Sequence, residues 1–472
     1  RENSLNHRGN IDMRQEKDSL GIVEVPEDKL YGAQTMRSRN FFSWGPELMP
    51  YEVIRALVWI KKCAAQANQD LGFLDSKHCD MIVAAADEIL EGGFEEHFPL
   101  KVWQTGSGTQ SNMNVNEVIA NLAIRHHGGV LGSKDPIHPN DHVNKSQSSN
   151  DVFPTAMHIA AVISLKNKLI PALDHMIRVL DAKVEEFRHD VKIGRTHLMD
   201  AVPMTLGQEF SGYSSQLRHC LESIAFSLAH LYELAIGATA VGTGLNVPEG
   251  FVEKIIHYLR KETDEPFIPA SNYFSALSCH DALVDAHGSL ATLACALTKI
   301  ATDLSFLGSG PRCGLGELFF PENEPGSSIM PGKVNPTQCE ALQMVCAQVL
   351  GNNQTVIIGG SRGNFELNVM KPVIIYNFLQ SVDLLSEGMR AFSEFFVKGL
   401  KVNKARLQDN INNSLMLVTA LAPVLGYDKC SKAALKAFHE SISLKEACLA
   451  LGYLSEKEFD RLVVPENMVG NH

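Results

Sequence analysis

Apolar residues recur at helical spacing through most of this chain. From Tyr51 the positions Ile54, Leu57, Val58 and Cys63 keep intervals of three and four, which predicts an amphipathic helix. A second set, Val162, Ile163, Leu169, Ile170, Leu173, Ile177, Leu180, Val184 and Phe187, predicts a long helix kinked near Pro171. Between Leu283 and Leu307 the pattern tightens to a heptad. Leu283, Leu290, Leu297 and Leu304 hold one seam position, and Ala286, Leu293, Ile300 and Leu307 the other. Such a seam packs nearly parallel or antiparallel to neighbouring helices, at ~20°. A stripe this long is hard to cover within one chain, which favours a symmetric oligomer, although a monomeric bundle carries the same stripe. Further helical sets follow Gly351 and fill the tail beyond Val402. Ser19 to Pro50 shows no clear period and is expected to be an irregular strap.

The polar interruptions carry the candidate chemistry. Thr105-Gly-Ser-Gly-Thr-Gln-Ser-Asn112 lacks the Gly-Lys-Ser/Thr ending of a phosphate loop. Asn114 and Glu117 stand at capping-box spacing for a helix running to about His126. His138-Pro-Asn-Asp-His142 has a metal-chelating interval, but the proline and the lack of a third ligand weaken that reading. Ser148-Ser149-Asn150-Asp151 precedes a helical set, and Asn150 or Asp151 could cap it. A helix start also offers donors and a favourable dipole to an anion. Gly308 to Pro336 is dense in Gly and Pro and so forms neither helix nor central strand. Within it Ser327, Ser328, Lys333 and Asn335 could face one small anion.

Composition narrows the class. At 472 residues the chain exceeds one core, and 45% hydrophobic with 20% charged residues is ordinary for a globular protein. A formal charge of −12 argues against nucleic-acid binding and requires any anionic substrate to meet locally concentrated cations. Ten scattered cysteines without a CxxC pair read as reduced thiols of a cytoplasmic protein. No run is expected to span a bilayer. The first 17 residues are polar, without a secretory core, so a vector segment and the remnant of a mitochondrial transit peptide both remain open.

Gly326-Ser-Ser-Ile-Met-Pro-Gly-Lys-Val-Asn-Pro-Thr-Gln-Cys-Glu340 resembles the signature of the aspartase/fumarase superfamily, and Gly332 with Thr337 to Glu340 resembles its class II fumarase branch. Four further segments agree: Thr105 to Asn114, Ser148 to Asn150, Gly194-Arg-Thr-His197 and Asn412-Asn-Ser-Leu-Met416. The resemblance spans roughly residues 18 to 469. It implies a mainly α, three-domain lyase (1–146, 147–404 and 405–472) whose central long-helix bundle packs into a tetrameric helical core. It also implies reversible hydration of fumarate to (S)-malate through an aci-carboxylate, without metal or other cofactor, in sites shared between four copies.

By the same resemblance Ser327 is the C3 base, with Ser328 its rival from sequence alone. His197 and Glu340 act on water, and Lys333 takes up charge. Ser107, Thr109, Ser148, Ser149, Asn150, Thr196, Ser328 and Asn335 hold substrate. His138, Asn140 and Asp141 match a second dicarboxylate site, although Lys134-Asp135-Pro136 departs from a pattern with a basic residue nearer the histidine. The rival enzyme is another lyase of the superfamily, such as an aspartate ammonia-lyase, which carries Gln at the position of His197. A helical protein that has lost activity is a third reading, and retention of the five candidate catalytic and charge-holding residues argues against it.

Overall fold

The structure, a computed structural model, describes residues 12 to 470; most of the polar start, through residue 11, lies outside the described residues. It is mostly helical. Along the chain come β1 (Met13–Asp18), β2 (Gly21–Pro26), α1 (Ala33–Phe41), α2 (Tyr51–Asp70), α3 (Ser76–Glu91), α4 (Thr109–His126), α5 (Ser149–Ser164) and α6 (Ile170–Glu186). The hairpin β3 (Val191–Thr196) and β4 (Met199–Thr205) leads into α7 (Leu206–Leu231), β5 (Glu233–Leu234), α8 (Phe251–Thr263), β6 (Ile268–Pro269) and α9 (Tyr273–Ser278). Then follow α10 (Asp281–Leu307), β7 (Leu318–Phe319), α11 (Thr337–Gly360), α12 (Lys371–Phe395) and β8 (Lys401–Val402), and short helices from Lys404 to Leu462.

The chain divides into two compact units. The first comprises residues 1–170, 223–291 and 348–384, and the second 171–222, 292–347 and 385–472. In the first, α2 packs against α3, α5 and α8, and α4 lies against α1 and α3. α4 is unusual for its buried amides, including Asn114 and Asn121. They survive burial because each reaches a partner: Asn114 donates to the His97 carbonyl at 3.0 Å and Asn121 to that of Leu30 at 2.8 Å. In the second unit the C-terminal helices close a core around Ile411, Leu421, Ala433 and Cys448, which also takes Ile193 from β3.

All eight heptad positions of α10 are buried within the single chain, so the seam, expected to be hard to cover without partner copies, does not by itself call for an oligomer. Several expectations need correction. Ser19 to Pro50 is not an irregular strap, because β2 pairs with β1 in a hairpin and α1 follows. α4 starts at Thr109, capped by Gly108, and Asn114 and Glu117 lie buried within it rather than forming a box. Near Pro171 the interruption is a π-helical turn over Leu165–Leu169 that ends before the proline. On length and composition α10 could cross a bilayer, contrary to the expectation that no run could, yet half of its most apolar window is buried.

Candidate active site

Each unit carries part of the predicted constellation. In the first, the turn before α4 stacks hydroxyls: Ser107 Oγ lies 2.9 Å from Thr109 Oγ1 and 3.3 Å from Thr105 Oγ1. Gly108 is held at φ 78°, and a Cβ there would press to 2.3 Å from the Phe153 ring. The start of α5 is capped by Ser148 rather than by Asn150 or Asp151. Ser148 and Asp151 form a capping box, with the Ser148 amide donating to Asp151 Oδ1 at 3.0 Å. The other carboxylate oxygen of Asp151 accepts from the Gly237 and Thr239 amides, both at 3.0 Å. Burial nevertheless pushes this carboxyl up to about 6 against those hydrogen bonds. Asn150 Nδ2 donates to the Ala240 carbonyl at 2.8 Å, and Asn112 Nδ2 donates to Ser149 Oγ at 2.9 Å.

Ser148 shares an open cleft of about 720 Å³ with Asn140 and Asp141 of the predicted second dicarboxylate segment. His138 is not among the residues that line it. Its Nδ1 accepts the amides of Asn140 and Asp141 at 3.1 and 3.2 Å, so it caps the turn Pro139–Val143. His142 Nδ1 in turn accepts the His138 amide at 2.9 Å. Backbone amides thus occupy one nitrogen of each histidine, which disfavours chelation by the pair. No cluster of three or more metal-ligating side chains occurs among the described residues.

In the second unit, β3 and β4 meet in a tight tip at His197 (φ 56°) and Leu198 (φ 62°). Two successive positive φ values give the turn geometry that suits the twist of a hairpin. His197 and Thr196 are both exposed at this tip. Just behind them Arg195 reaches Glu317 at 2.6 Å, and Lys192 reaches the same carboxylate at 3.1 Å. Glu317 is fully buried. Burial alone would raise its carboxyl, but the Arg195 hydrogen bond and the charge of Lys192 hold it below the ordinary range.

The loop from Gly326 to Asn335 is strapped shut. The Gly326 amide donates to the Lys333 carbonyl at 2.9 Å, and Asn335 Nδ2 donates to the Gly326 carbonyl at 2.6 Å. A Cβ at position 326 would stand 2.3 Å from the Lys333 carbonyl oxygen, so only glycine closes this strap. Inside it, Ser327 Oγ accepts the amides of Ile329 and Met330 at 3.3 and 3.0 Å. Lys333 Nζ donates to Asn335 Oδ1 at 2.7 Å. Ser328 is exposed, and its hydroxyl has no hydrogen bond among the described residues. Lys333 and Asn335 line a cleft of about 870 Å³. Glu340 is exposed in the first turn of α11, and within one chain it forms no ion pair with His197 among the described residues.

Sequence reading missed Lys192 and Glu317 behind Arg195, and Asp151 as the capping partner of Ser148. Glu317 was the one acid in the run Gly308–Phe320, the only hint available.

Comparison with known proteins places the chain in a family. A family model described as Lyase matches residues 21–351, and one described as Fumarase C C-terminus matches 417–470. The Chlamydia caviae protein named fumarate hydratase class II is 82% identical over 97% of this chain and all of its own length. That of Thermosynechococcus vestitus, with the same name, is 59% identical over 97% of this chain and 98% of its own. The crystal structure of class II fumarase from Schistosoma mansoni superposes with a TM-score of 0.95 at 45% identity, covering 98% of this chain and all of that one. With relatives this similar along almost its whole length, the chain belongs to the class II fumarate hydratase family.

Proposed function

We propose that this protein is a hydro-lyase that interconverts fumarate and (S)-malate by anti addition of water, with neither metal nor nucleotide. The observation that carries the reading is the strapped loop, which holds one hydroxyl against two amides beside a lysine. A serine is a poor base until its alkoxide is stabilised; the Ile329 and Met330 amides do this at Ser327 Oγ and at no other hydroxyl of the loop. That favours Ser327 over Ser328.

In the dehydration direction Ser327 takes the C3 proton of malate, and the electron pair moves into the adjacent carboxylate to give an aci-carboxylate. Lys333, Asn335 and the loop amides stabilise that charge more than the substrate's, and single donors of this kind are worth ~10²–10³ in rate. The C2 hydroxyl then leaves as water, protonated from the His197 side, with Glu340 charging the histidine. Ser107, Thr109, Ser148, Ser149, Asn150, Thr196 and Ser328 hold the carboxylates. His138, Asn140 and Asp141 offer a second, non-catalytic dicarboxylate position, its histidine oriented by the turn it caps.

The active assembly is a homotetramer with shared sites. Met344, Leu350, Ile357 and Ile358 of α11 are exposed apolar side chains that a partner copy would cover, and His197 finds no carboxylate partner in its own chain among the described residues. We place the enzyme in the cytoplasm, supported by ten free cysteines; a relative from Rhizopus oryzae named mitochondrial keeps the matrix as the alternative. Three parts, 1–146, 147–404 and 405–472, are the expected functional division. Ser327→Ala tests the assignment. Turnover should fall by at least ~10³ with the fold and assembly unchanged, and near-normal turnover would move the base elsewhere.

A further inference from the structure

Lys61 is a fully buried lysine on α2 with no carboxylate partner among the described residues. Its Nζ donates to Asn144 Oδ1 at 2.8 Å and to Gln147 Oε1 at 2.9 Å. The same Asn144 oxygen accepts from Asn112 Nδ2 at 3.2 Å and Asn116 Nδ2 at 3.1 Å. Asn112 Nδ2 also reaches Ser149 Oγ at 2.9 Å, and Asn144 Nδ2 ties back to the Gln147 carbonyl at 3.3 Å. One cation therefore anchors the turn that delivers Ser148 and Ser149. A buried, unpaired ammonium is costly and gives up its proton unless something nearby favours the charge. Without it Asn144 Oδ1 would keep two amide donors, while Gln147 Oε1 would lose the donor that Lys61 supplies.

We propose that Lys61 is a positioning residue for the substrate, setting the Ser148–Asn150 segment through Asn144 and Asn112 and supplying a buried basic group behind it. This rests on the fumarate–malate reading. The groups facing Lys61 are few. Its direct partners on the 139–148 turn, Asn144 and Gln147, are neutral, the α4 amides Asn112 and Asn116 share the Asn144 oxygen, and from α5 the carboxyl of Asp151 favours its charge. The nearby charges of α3 and α8, Asp87 and Glu262, are both taken by Lys62 at 2.8 Å. Burial draws the Lys61 ammonium down to about 7, so near neutrality the free protein carries it partly deprotonated. An anion over Ser149 and Asn150 shifts that balance toward the cation, and binding takes up a proton.

The test compares wild type, Lys61→Met and Lys61→Arg. In wild type KM for malate should rise with pH through about 7, where the free protein loses the charge, giving an alkaline limb in KM distinct from any that proton donation by His197 puts on kcat. Lys61→Met should raise KM for malate about 10-fold or more, with kcat changed far less, and should lack that alkaline limb. Lys61→Arg, permanently charged, should restore KM without restoring the limb. Titration calorimetry with succinate near pH 7, in two buffers of different ionisation enthalpy, should show net proton uptake by wild type and none by Lys61→Met. Unchanged KM with a preserved limb, uptake equal in both proteins, or an effect confined to thermal stability would each overturn the proposal. Wild type inert toward fumarate and malate would instead defeat the functional reading, and the calorimetric comparison would still decide the role of Lys61.

Discussion

Replacing Glu317 by Gln isolates the support behind the His197 tip. The carboxylate is fully buried and faces two cations, Arg195 at 2.6 Å and Lys192 at 3.1 Å, with Asn410 Nδ2 at 3.1 Å. Lys192 keeps a second partner, Glu209, at 2.9 and 3.0 Å. Arg195 loses its one ion pair among the described residues and keeps the new amide oxygen and the more distant charges of Asp200 and Glu209. Breaking a buried pair by removing one partner costs ~3–5 kcal/mol, and the amide recovers part of it, so ~3 kcal/mol is expected. For a body of ~200 residues each kcal/mol moves Tm by ~2–4 °C, which gives a drop on the order of 10 °C. The pH dependence has a definite sign. The folded pKa of Glu317 lies below its ordinary 4.5, so its contribution is present above that value and is lost as pH falls through the lower folded one. Scanning calorimetry of both proteins at pH 7 and in mild acid reads both effects. The Tm gap should be wide at pH 7 and narrow in acid, and turnover should fall as the tip loosens. A gap below ~2 °C at pH 7, or one that widens in acid, would refute the reasoning.

Two further outcomes follow from the geometry. His197→Asn should depress turnover by ~10²–10⁴ and leave the oligomer unchanged on light scattering; an undiminished rate makes His197 structural. Glu117, buried beside Glu16, has its carboxyl pushed up to about 8 by burial and then by the Glu16 charge. Its folded pKa exceeds the unfolded 4.5, so stability is fully present below 4.5 and declines as pH rises toward about 8. Glu117→Gln should flatten that decline in a pH series of melting curves, and an unaltered slope would show that Glu117 is not its source.

Much of the helical frame was legible because burial is periodic: the α10 seam and the start of α2 appear directly in the spacing of Leu, Ile and Val. The loop at Gly326 to Asn335 was legible for the opposite reason, since its Gly and Pro content excludes regular structure. What escaped depends on partners distant in sequence. Lys61 sits in an apolar run with only Lys62 beside it, and nothing local announces that Asn144 and Gln147, more than 80 residues away, accept its hydrogen bonds. Glu317 meets Arg195 across 122 positions. β2 and α1 were hidden in a mixed stretch whose hairpin depends on Arg14, which donates to the carbonyls of Pro26, Lys29 and Tyr31. The α4 boundary was misplaced because Asn114 and Glu117 fit a capping box in spacing, while Gly108, six residues before Asn114, provides the real turn.

The most direct test is a substrate panel. Malate, aspartate and argininosuccinate are offered separately to the purified protein in metal-free buffer, and fumarate is followed by its ultraviolet absorbance. Fumarate should appear from malate alone, and malate should form when fumarate is supplied. Release from aspartate or argininosuccinate with malate inert, or turnover that requires an added metal, would contradict a proton-abstracting serine loop built for hydration.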